Sequence, residues 1–98
     1  MWLFTLYVAG ASLTSRNALA NLEQLCQQHI PGQYRIEIVD LLTHPALAVE
    51  HGVVAVPMVV REAPVPIRKV VGDLSNIEVA LRVLQLAATP RPLLRRVV

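Results

Sequence analysis

The sequence predicts a single α/β domain with the element order β-α-β-α-β-β-α. Two observations carry that reading. An apolar run, an amphipathic stretch and an alternating run follow one another between Trp2 and Leu42, the pattern of a βαβ unit. After that, Pro45, Gly52, Pro57, Pro64, Pro66 and Gly72 cut the chain into short elements before a final amphipathic stretch.

Trp2–Ala9 (W-L-F-T-L-Y-V-A) is almost continuously apolar. A strand covered on one face alternates and one covered on both does not, so this reads as a central strand. Gly10–Ser15 turns out of it, and Ser12, Thr14 and Ser15 are each suited to cap the next helix. That helix is Arg16–His29. Leu19, Leu22, Cys26 and Ile30 fall on one stripe, widened by Ala18 and Leu25, and Pro31-Gly32 ends it. Tyr34–Leu42 then sets Tyr34, Ile36 and Ile38 on one face and Arg35 and Glu37 on the other. It reads as a second strand, parallel to the first through a right-handed crossover.

Pro45–His51 reads as a short helical turn, with Gly52 closing it. Val53–Val60 reads as the third strand. Pro57 in its middle is anomalous, because proline brings no N–H to a ladder. A cis Val56–Pro57 bond at the strand's start resolves the conflict and makes Pro57 a cis-proline candidate. Arg61–Pro66 connects to a fourth, antiparallel strand, Ile67–Val71. Gly72 permits a tight turn, and Ser75 with Glu78 reads as a capping box for the last helix, Asn76–Ala87. Ile77, Ala80, Leu81, Leu84 and Ala88 form that helix's apolar face. Residues 89–98 are expected to form a basic C-terminal tail of the one domain, residues 1–98.

Charged residues make up 16% of the chain against about 25% on average, so polar cover is short and apolar surface is expected to lie against another subunit or partner. A net charge of +2 falls short of the dense basic face that nucleic acid requires. The single cysteine rules out an intrachain disulfide and suits a reducing compartment. Met1–Gly10 lacks the basic leader of a secretory signal, and no run reaches the ~20 apolar residues of a membrane span. The expectation is a soluble cytoplasmic protein with no nucleic-acid partner.

The element order is that of a thioredoxin fold, with Pro57 where that fold keeps a cis-proline. A thioredoxin-type reductase places Cys-x-x-Cys where the first strand meets the first helix, so that the helix N-terminus lowers a thiol pKa. This chain has Ser12-Leu13-Thr14-Ser15 there, and Cys26 falls mid-helix on the apolar stripe as a packing residue. His29, His44 and His51 lack metal-ligand spacing and read as solvated. Neither a nucleophile motif nor a phosphate loop is present. No catalytic residue, metal or cofactor is expected. Arg61, Arg68 and Lys69 have two readings: solvated cations that protect an edge strand, or a positive patch that meets an acidic partner.

Y-V-A-G (Tyr7–Gly10), V-D-L-L-x-x-P-x-L-A (Val39–Ala48), A-V-P (Ala55–Pro57) and V-V-G-D-L-S-N (Val70–Asn76) fall in the order and spacing of the KaiB family. The chain resembles these clock proteins, or a KaiB-like paralogue, from about Leu3 to about Leu86. The resemblance implies a non-catalytic regulator of a clock or stress system. Such a protein binds a KaiC-type ATPase, and its other partners would be a KaiA-like protein or an output histidine kinase. It implies a homo-oligomer, dimer or tetramer, and two folds: a thioredoxin-like one, and a ground state in which the C-terminal half is rearranged. It makes Arg61, Arg68 and Lys69 partner-binding residues and puts Gly72 and Asp73 at a conformational switch. Asn17 and Gly52 stand where the family commonly carries an arginine and a lysine, so the patch is thinner. A basic end replaces the family's acidic tail. Two rivals are a thioredoxin-fold redox enzyme or transferase, and a KaiB-like sensor domain of a histidine kinase. G-D-L-S-N weighs against the sensor.

Overall fold

The computed structural model describes residues 1–86. In order, the elements are β1 (Trp2–Val8), α1 (Leu13–His29), β2 (Tyr34–Asp40), α2 (Ala46–Glu50), β3 (Met58–Ala63), β4 (Arg68–Val71) and α3 (Ile77–Leu84). The four strands form one sheet in the order β2-β1-β3-β4. β1 runs parallel to β2 and antiparallel to β3, and β3 is antiparallel to β4. This is the thioredoxin-like arrangement, not the alternative in which the C-terminal half is rearranged.

β1 is the strand that composition marks as central, and both of its faces are covered. Phe4, Leu6 and Val8 meet Ala18, Leu22, Leu25 and Cys26 of α1 and Ala80 and Leu84 of α3, with Val59 and Leu74 completing the cluster. Tyr7 packs on the opposite face with Met58 and Val60, roofed by Val39, Leu41 and Val53. The α1 stripe is buried as the periodicity predicts, and Leu19 flanks it.

Helix α1 starts at Leu13, ahead of the expected Arg16, and β2 ends at Asp40, short of the expected Leu42; three further differences bear on the site. β3 begins at Met58, after Pro57, so the proline precedes the ladder instead of interrupting it; the Val56–Pro57 peptide is cis. The valines before it suggest a strand by composition, yet Val54 is 90% exposed and unpaired. Arg61 belongs to β3, not to a connection, and the register slips at Glu62 before Ala63 pairs with Leu3. Regular alternation from Val59 puts Arg61 on the helix-facing side, opposite Phe4. Finally, α3 is capped by Asn76, whose Oδ1 accepts from the Val79 N–H at 3.2 Å, one residue beyond the expected capping box at Ser75. Ala87, Ala88 and the expected tail, residues 89–98, lie outside the described residues.

Phe4 is fully buried and Leu13 is 67% exposed. Phe4→Ala is expected to lower unfolding free energy by about 3–5 kcal/mol in a denaturant titration. Leu13→Ala is expected to change it by no more than about 0.5 kcal/mol.

Candidate functional site

The residues singled out from sequence sit on β3, β4 and the loop into α3. Alternation along β4 sends its two cations to opposite sides of the sheet. Arg68 pairs with Arg61 and shares its helix-facing side; Lys69 pairs with Val60 and faces away from α1 and α3. The expected patch of three cations is therefore split. Lys69 and Glu62 border a concavity of about 330 Å³ with Tyr7, His51, Val60 and Ile67. There the Tyr7 hydroxyl lies 2.8 Å from His51 Nδ1, so His51 is engaged with the sheet and not merely solvated. Burial, and secondarily the charge of Glu62, raise the Tyr7 pKa.

Arg61 is not an exposed cation but an interior one, 1% exposed. Its Nη1 donates to the Leu84 carbonyl at 2.8 Å and to Gln85 Oε1 at 3.3 Å, and its Nη2 donates to the Pro66 carbonyl at 2.6 Å. Burial, and then the like charge of Arg68, pull its pKa below the ordinary guanidinium value. Among the described residues neither Arg61 Nε nor Arg68 Nε has an acceptor.

The Gly72–Asn76 loop is built from local hydrogen bonds. Gly72 has φ +113°, a region that L side chains rarely adopt, and its N–H donates to the Pro57 carbonyl at 2.8 Å. Asp73 Oδ1 accepts from the Ser75 N–H at 3.0 Å, and the Asp73 carbonyl accepts from Asn21 of α1 at 2.6 Å. Hydrogen bonds from the Ser75 hydroxyl and then its N–H hold the Asp73 carboxyl below the usual carboxylate range. Its contribution to the turn is complete above the unfolded carboxyl's pKa and lost as pH falls through the depressed folded value. Leu74, with φ 64° and 4% exposed, plugs the helix-side core from this loop. Sequence reasoning passed over it, although a leucine between two cap-forming residues is a signal of such a plug.

The corner where a thioredoxin reductase carries its thiols is a serine pair. Ser12 caps α1, its Oγ accepting from the Ser15 N–H at 3.1 Å, and the Ser12 hydroxyl donates to Ser15 Oγ at 2.9 Å. Cys26 is fully buried. Burial, and then Glu23, push its thiol up to about 12, away from the thiolate that redox chemistry needs.

The sequence profile of the KaiB domain matches residues 5–86. The chain is 37% identical over 76 residues to circadian clock protein KaiB3 of Synechocystis sp., a match covering 78% of this chain and 74% of that protein. It is 38% identical over 80 residues to circadian clock oscillator protein KaiB of Trichodesmium erythraeum, covering 82% and 77%. Among solved structures, the N-terminal domain of Synechococcus elongatus SasA superposes with a TM-score of 0.70 at 16% identity, over 87% of this chain and 81% of that one. Chloroplastic thioredoxin z superposes at 0.67 with 19% identity, over 88% and 78%. At these identities the two structures share the fold alone with this chain.

A buried thiol with a raised pKa reacts slowly. At pH 8, a disulfide reagent is expected to label Cys26 at least about a hundredfold more slowly in the native protein than in denaturant. Equal rates would contradict the packing described.

Proposed function

The chain belongs to the KaiB family, and from that membership we propose a non-catalytic clock regulator that binds a KaiC-type ATPase and alters its phosphorylation cycle or output. The observation that carries this reading is the KaiB match itself, which runs from β1 through α3. The serine pair at the start of α1 and the inert Cys26 support it against thiol redox chemistry. The described residues offer a surface for contact instead of a reacting centre.

β4 is an edge strand, so its outer backbone groups and its cations face a partner together. Lys69 is exposed and Arg68 half-exposed, and they supply the direct charge toward an acidic surface. Arg61 adds its charge from behind while its hydrogen bonds are spent inside. Gly72 and Asp73 act as the switch, because a loop needing φ +113° at Gly72 suits one chain path and not another. The free protein is a cytoplasmic homo-oligomer, and a KaiA-like protein or an output histidine kinase joins the ATPase as further partner. Val54, Val65, Ile67 and Val71, each more than half exposed, are apolar surface of the kind an oligomer covers.

Capture of a KaiC-type ATPase in the presence of ATP tests the reading. The charge reversals Arg68→Glu and Lys69→Glu together are expected to weaken capture at least about tenfold and to flatten its salt dependence. Undiminished capture would overturn the assignment of these residues, and absence of capture by the unaltered chain would overturn the partner. Gly72→Ala meets no atom within 4 Å, so its cost is conformational. It is expected to shift the balance between oligomer and monomer in size-exclusion chromatography.

A further inference from the structure

Arg61 is where four stretches of chain converge. It stands on β3 and reaches the end of α3 through the Leu84 carbonyl and Gln85, and the turn before β4 through the Pro66 carbonyl. Its guanidinium also lies 5.4 Å from the centre of the Trp2 ring on β1. Leu84 is the last residue of α3, and Gln85 holds a left-handed C-cap at φ 56°. Carbonyls at a helix end lack donors from their own helix and carry the negative end of its dipole. Arg61 supplies that cap from a different element. A planar fork of donors at fixed spacing serves the helix end and the turn at once. Its three acceptors are amide carbonyl oxygens and not carboxylates, and its partner across the ladder is Arg68. Withdrawing any acceptor would leave a buried charge short of partners, so the contact is held whole or lost.

The two halves it joins differ in their own resources. α1 brings Ala18, Leu22, Leu25 and Cys26 onto β1. α3 has eight residues and only Ala80 and Leu84 fully buried. Helices shorter than about 12–15 residues are marginal in isolation, so α3 depends on being docked.

We infer that Arg61 is a latch, a positioning residue that holds the end of α3 and the 64–67 turn onto the sheet. Its release frees these segments while β1, α1 and β2 stay folded. This is separate from partner binding and holds with no partner present.

Amide hydrogen exchange on Arg61→Met and Arg61→Lys, with emission from Trp2, the single tryptophan, tests it on the free chain. In Arg61→Met, exchange in α3 should rise at least about tenfold more than in β1, α1 and β2. Trp2 emission should change while α1 stays protected. Arg61→Lys should restore only part of the protection of α3, because an ammonium lacks the guanidinium's rigid fork. Exchange rising by a common factor throughout, or α3 protection unchanged, would overturn the latch. Should Arg61→Met fail to fold, Arg61→Gln is read in the same way: α3 protection unchanged relative to α1 would refute the latch.

Discussion

β1 has neither a free edge nor a free face. Strands flank it on both sides, parallel on one and antiparallel on the other, while α1 and α3 cover Phe4, Leu6 and Val8. Tyr7 fills the opposite face against Met58 and Val60. α1, α3, β2 and β3 are placed by what they cover or extend on this strand. That dependence explains why a seven-residue strand tolerates so little polarity and carries no charged side chain. It also explains why the chain's ends of interest, the β4 edge and the loop into α3, lie away from the centre. The core leaves the edge strand as the place where surface chemistry can vary.

Arg61 shows how a charge can be part of such a core. A lone buried ion costs more than Coulomb attraction to distant groups returns, so it persists only where hydrogen bonds meet it from several sides. Here the helix end, the turn and the face of Trp2 meet it together. The same side chain that a sequence reader takes for surface charge is thus a structural joint, and the charge facing outward falls to Arg68 and Lys69. These two adjacent residues point to opposite sides, so they flank the β4 edge and do not form one flat patch.

Much of the fold was legible because its determinants are local. The unbroken apolar run of β1, the stripe of α1 and the alternation of β2 all declare themselves within a few residues. What escaped was non-local or degenerate. Val53–Val56 has strand composition but no partner strand, and only the position of Pro57 decides where the ladder starts. Ser75 and Asn76 are both good caps, and the choice between them turns on where the chain leaves β4. Arg61 finds its acceptors at Pro66, Leu84 and Gln85, and His51 finds Tyr7 44 residues away; no periodicity encodes either. The serine pair in place of thiols, by contrast, is a local fact, and it was readable at once.

The proposed function rests on the KaiB family and on the unreactive Cys26. Under that proposal the protein acts through contact and shape, presenting an edge strand and a short helix to its partner. The most direct measurement is the phosphorylation state of a KaiC-type ATPase followed over time with ATP, with this chain added or withheld. The account predicts a change in the course or level of phosphorylation that scales with the amount of chain added and persists in Cys26→Ser. A course that is identical with and without the chain, or an effect that vanishes in Cys26→Ser, would contradict it.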